Sequence, residues 1–166
     1  GIQYIDLQEI YHSYLYTNVD RSAKKYTFNP DINGGFMVTV LDRDDPNIEA
    51  DYTHVHFSLL RSELLNASVY VYGGFNNFAT TAENRMVYNS KKGIYETSIL
   101  MKQGFYNYKY VVVDKDNVLL EGEISGNFDV TENNYKVVAY YREIGARYDR
   151  LLSLIHISEP TRLRRI

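Results

Sequence analysis

VYVYGGFNNFATTAENRMVYNSKKGIYETSILMKQGFYNYKYVVVD, residues 69–114, decides the fold. Its apolar and aromatic residues recur at every second position in short runs, and the runs end on Gly, Asn or Lys-rich turns. ASVYVYG (67–73), MVYNS (86–90), GIYETSILM (93–101) and FYNYKYVVVD (105–114) therefore read as strands, with KKG and KQG as turns between them. Such alternation sends successive side chains to opposite faces, so each run has one face to bury.

The same pattern continues on both sides. NVLLEGEI (117–124) completes a hairpin around Lys115 and Asp116, and NYKVVAYYR (134–142) is the last clear strand. Upstream, YTHVHFSLL (52–60) places Thr53, Val55, Phe57 and Leu59 on one face and His54, His56 and Ser58 on the other. Seven short strands within about a hundred residues, separated by turn signals, predict an all-β sandwich over 46–151. No stretch carries the helical period, and no repeat of solenoid or propeller length is present.

Further upstream, IQYIDLQ (2–8) reads as a strand, and KKYTF (24–28) and GFMVTVL (35–41) as a pair around NPDINGG. LDRDDPNIEAD (41–51) loses periodicity and gains charge and a Pro, which marks a boundary. Residues 1–45 are accordingly expected to be the last strands of a truncated β-domain preceding the sandwich. The chain opens inside a strand pattern, so its natural start is expected upstream and nothing here speaks to a signal peptide.

Composition narrows the function classes. There are 17 Tyr, 7 Phe and no Trp, a bias that suits strands and recognition surfaces. With no Cys, disulfide frameworks, thiolate nucleophiles and zinc–cysteine sites are excluded. Net charge is −3, and the last fifteen residues carry three arginines against one glutamate, leaving residues 1–151 at −5. An acidic body lacks the clustered Lys and Arg that phosphate binding needs, so nucleic acid is not an expected partner. No apolar run is long enough to span a membrane.

No motif supplies a catalytic constellation, and no enzyme activity or cofactor is expected. His54 and His56 share a strand face, but a zinc site needs further ligands, and His12 lies in another segment. Asp42, Asp44 and Asp45 resemble the start of a calcium loop, yet Pro46 and Asn47 stand where that loop wants an acid or amide and then Gly. Glu121 and Glu123, two apart on an expected strand, share a face as hydrolytic carboxylates do, without any sign of desolvation. No metal site is assigned.

Two resemblances add to this reading. Residues 69–114 resemble early-set immunoglobulin-like domains, including the glycogen- and starch-binding modules of amylolytic enzymes. Phe75, Asn76, Asn77 and Phe78 match their G-x-F-N-x-W turn, and Tyr108, Lys109 and Tyr110 their Y-K-F strand. That likeness implies an α-glucan partner held by Phe78 and Lys109. Phe stands where those modules carry the first stacking Trp, and the second falls near Val118 or Leu119.

A longer resemblance is to the C-terminal part of the plug protein family of the Bacteroidota type IX secretion system, formerly a domain of unknown function. It rests on Lys102–Tyr108, Gly126–Tyr135 and Tyr140–Leu151, with YIDL (4–7), DINGGF (31–36) and ADYTHVHFSL (50–59) in the same order. It implies a non-catalytic periplasmic protein, associated with the outer membrane, that binds a β-barrel translocon and plugs its periplasmic opening. Tyr140, Tyr141, Arg142, Arg147, Tyr148, Asp149 and Arg150 form the densest Tyr/Arg cluster and are the candidate partner-binding residues, since both types are favoured at interface cores. Arg–Asp pairing at a strand end is the structural alternative for the same cluster. Finally, LSLIHISEPTR (152–162) resembles the in-frame translation of a transposase-based sequencing adapter, so 152–166 are expected to be a non-native tail.

Overall fold

The computed structural model describes residues 1–26, 32–40, 45–128 and 134–158. The chain divides into two compact units, Gly1–Asn127 and Phe128–Ile166.

In the first unit, β5 (Tyr52–Leu60) and β8 (Ile94–Lys102) pair antiparallel along nine residues, and β7 (Val87–Asn89) extends β8. On the other edge of β5 lie β1 (Ile2–Leu7), β2 (Tyr11–Leu15) and β3 (Asn18–Val19), giving the order β1-β2-β5-β8-β7 with β3 also on β5. A second sheet runs β11 (Leu119–Leu120), β10 (Lys109–Val113), β6 (Ser68–Tyr72). Phe57, Leu59, Tyr95 and Met101 from the first sheet meet Val69, Val71, Tyr110 and Val112 from the second in one buried cluster. The fold is thus the expected all-β sandwich. Each of these apolar side chains contributes roughly 1.5–3 kcal/mol on burial.

The alternation read along 52–60 holds: Phe57 and Leu59 are in the core, and Val55 packs against it. Tyr110 crosses the interior, and Asn18 Nδ2 donates to its hydroxyl at 2.8 Å and to that of Tyr108 at 3.1 Å. Burial and the neighbouring Tyr108 push the Tyr110 phenol far up, so it stays neutral at any accessible pH.

Four segments differ from expectation. The run 105–114 is two strands, because β9 (Gly104–Tyr106) pairs with β4 (Phe36–Val38) while β10 pairs with β6. Lys24–Tyr26 form no strand, so β4 takes β9 as its partner, and residues 27–31 lie outside the described residues. Pro46–Glu49 form a single helical turn, α1. The run 117–124 gives only β11 before turning into α2 (Gly122–Ser125), whose Ile124 plugs the core.

The segment 1–45 shares a sheet with 46–127. β2 meets β5 in parallel, with Tyr11↔Thr53 through Tyr14↔His56 in register. Arg61 holds this arrangement at its far end, bonding Asp20 at 2.8 Å and Glu123 at 2.7 Å.

The second unit is a hairpin of β12 (Asn134–Tyr141) and β13 (Arg150–Ser158), with an irregularity between Ala139 and Tyr140. The stretch from Leu152, set apart in the sequence as a tail, forms β13 as far as Ser158, and 159–166 lie outside the described residues.

Candidate functional site

The seven Tyr/Arg-cluster residues converge at the closed end of the β12–β13 hairpin. Tyr141 and Arg150 are register partners, and Gly145, at φ +89°, supplies the left-handed turn residue between the strands. Arg142 grips Asp149 through two bonds, Nε at 2.7 Å and a terminal nitrogen at 3.1 Å. That bidentate pairing raises the guanidinium's pKa further and fixes its plane. The Arg150 guanidinium lies 5.8 Å from the Tyr148 ring centre. Tyr140, Tyr141 and Tyr148 are all at least half exposed. Pairing at the strand end and an exposed aromatic surface therefore coexist in one tip. Chemically it presents three amphipathic rings around charges held in place.

Phe78 and Lys109 also come together, on the second sheet. The turn at Gly74–Asn76 ends with Asn77 and Phe78 both at positive φ, which turns the Phe78 ring outward, 50% exposed. Phe75, three residues earlier, is the aromatic that packs on the core. The Phe78 ring lies 5.5 Å from Tyr72, and Lys109 Nζ lies 5.7 Å from the same Tyr72 ring while bonding Glu121. Burial and the Glu121 charge raise the Tyr72 phenol. Tyr72 was not singled out in the sequence, and Glu121 was weighed there only as the neighbour of Glu123. The signal was available for Tyr72, since pairing VYVYG with YKYVV sets it opposite Lys109.

The remaining candidates resolve differently. His12 joins His54 and His56 on the outer face of the first sheet, and among the described residues no group of three His, Asp or Glu is arranged to hold a metal. Glu121 and Glu123 share no strand face, because α2 begins between them; one bonds Lys109, the other Arg61. Asp45 donates its backbone N–H to Glu49 at 3.1 Å to close α1, while Asp42 and Asp44 lie outside the described residues. No described helix is long and apolar enough to cross a membrane.

Comparison with known proteins finds no matching family model and no matching curated protein. Among solved structures, a hypothetical protein from Parabacteroides merdae ATCC 43184 is similar, with 36% identity, a TM-score of 0.83 and 95% of this chain covered. The chain spans 40% of that protein's length. The sandwich is thus shared with an experimentally determined structure.

Proposed function

We propose that the chain belongs to a non-catalytic component of the type IX secretion machinery, one that docks on the outer-membrane β-barrel translocon from the periplasm and plugs its opening. The reading is supported by six ordered sequence runs between residues 4 and 151. The observation that carries it is the hairpin tip, where Tyr140, Tyr141 and Tyr148 stand exposed around a locked Arg142–Asp149 pair. Exposed Tyr and Arg held in fixed geometry lose little freedom on contact, which is the property of protein-binding hot spots.

Capture from detergent-solubilised outer membranes of a type IX-secreting bacterium tests this. The immobilised chain is expected to retain a large β-barrel, and Tyr140→Ala with Tyr148→Ala to lower retention by roughly thirtyfold, the scale of one hot-spot loss. Equal retention by wild type and variant removes the tip from the account.

A second reading is an α-glucan-binding module. The outward Phe78 beside Tyr72 and Lys109 favours it, because a sugar face stacks on an exposed ring while its hydroxyls need charged partners. Retention on immobilised α-glucan, abolished by Phe78→Ala and by Lys109→Ala, is the result that places this reading first.

A further inference from the structure

The outer face of the first sheet, opposite the core, carries a row of rings that neither reading uses. Strand register builds it. Asp6, His12, His54 and Leu100 form one line across β1, β2, β5 and β8; Tyr4, Tyr14, His56 and Ser98 form the next. Tyr4 stacks on Tyr14 at 4.3 Å between ring centres, and Tyr14 lies nearly parallel on His56 at 4.1 Å. His12 Nδ1 and His56 Nε2 are 2.9 Å apart, a hydrogen bond between two imidazoles across the β2–β5 seam. His54 completes the group, its ring 5.2 Å from His12 and its Nδ1 3.4 Å from Ser98 Oγ.

Such a bond exists only while one ring offers a lone pair, so its acceptor imidazole is neutral. One added proton leaves an imidazole–imidazolium pair that keeps the bond; a second proton, on the ring still neutral, turns both facing nitrogens into donors and places like charges side by side. β2 touches β5 through four register pairs, Tyr11 to Tyr14, and β3 continues along β5 at Asn18 and Val19. Ser13 Oγ bonds Thr53 Oγ1 at 2.9 Å and Thr53 Oγ1 donates to the Tyr11 carbonyl at 3.0 Å, contacts that do not titrate, so the imidazole pair carries the seam's response to protons.

We propose that the His12–His56 contact is a proton-operated latch, holding the β1–β2 hairpin on β5 at neutral pH and loosening it in mild acid.

The surrounding charges bear on its set point. Asp6 is the register partner of His12 on the same face. Glu96 of β8 favours the charged form of His56, but Lys92 at 2.6 Å and Asn89 at 2.8 Å already hold its carboxylate. Lys102 faces Tyr52, two register pairs from His54↔Leu100 along β5. Against Glu96 stand burial of His56 and the proximity of His12 and His54, and the net direction for His56 is downward. The sign follows. A released hairpin takes up the proton first, so the latch is intact above the ordinary histidine value of 6.5 and fails as pH falls below it.

Ring-proton titration of the histidines by NMR, together with amide exchange of Tyr11–Leu15 in the whole chain from pH 8 to pH 5, tests the latch. His56 is expected to titrate below 6.5. Protection of β2, corrected for intrinsic exchange, is expected to fall by up to about tenfold per pH unit beneath that point. His56→Gln, uncharged at every pH, is expected to flatten the dependence. The latch is overturned by a His56 titration at or above the ordinary value, by pH-independent protection of β2, or by an unchanged slope in His56→Gln. The wild-type titration and exchange decide the matter even where the variant does not fold.

Discussion

Asn84 concentrates more local structure than any apolar residue. It is buried, and its amide nitrogen donates to the Val71 and Ala79 carbonyls at 2.7 and 2.8 Å, while its oxygen accepts from Thr81 N–H and hydroxyl. In Asn84→Ala the Val71 carbonyl keeps the Asn76 amide at 2.9 Å and Thr81 is exposed to water, which leaves chiefly the half-buried Ala79 carbonyl without its donor; a buried unpaired polar group costs about 1–3 kcal/mol. A stability loss of roughly 1–3 kcal/mol is expected, read as a lower denaturant midpoint with an unchanged slope. Leu59→Ala, at a fully buried site, is expected to cost a similar 2–5 kcal/mol by opening a cavity between the two sheets. An Asn84→Ala loss below about half a kcal/mol contradicts the bonding described here.

Among elements, long strands were legible and their partners were not. β5 was read with its true limits because nine residues of alternation leave no other solution. β2 escaped notice: YHSYL is short and mostly polar, and its place in the sheet comes from a parallel partner more than forty residues away. The run 105–114 reads as one strand because periodicity does not say which sheet a residue joins. The break falls at Asn107 and Tyr108, where Asn107 donates its backbone N–H to the Gly35 carbonyl at 3.0 Å. The tip cluster was legible as a dense Tyr/Arg segment. The shared face of His54 and His56 was legible too, but the approach of His12 was not, since it needs β2 and β5 in register.

Element scale also fixes the acid response of the far seam. Burial alone would raise Asp20, but bonds from Ser22 and the Arg61 charge outweigh it and hold the carboxyl below its ordinary 3.8. A depressed folded value means this stability is whole above 3.8 and is lost as pH falls through the lower, folded one. Arg61→Met, which leaves the Ser22 bonds in place, is expected to weaken that dependence below pH 3.8, read as a flatter melting temperature against pH than in wild type. An identical profile in both proteins contradicts the assignment.

At the scale of the whole molecule, the sandwich ends in a strand with an apolar margin. Ile2, Tyr4, Ile5 and Leu7 of β1 are all more than half exposed, and the outer edge of β1 has no strand partner among the described residues. Open apolar edges template pairing with other chains. The chain is expected to self-associate at micromolar concentration, and Ile5→Lys to suppress this in light scattering. A monomeric, cooperatively melting protein of residues 1–151 contradicts it. The central claim, that the hairpin tip meets the translocon, is tested most directly by photocrosslinking. A light-activated residue placed at Tyr140 in cells with an active type IX system is expected to yield one major adduct, to a large outer-membrane β-barrel, with a light-activated residue at the core position Val111 giving none. No β-barrel adduct from Tyr140, or equal adducts from both positions, contradicts the account.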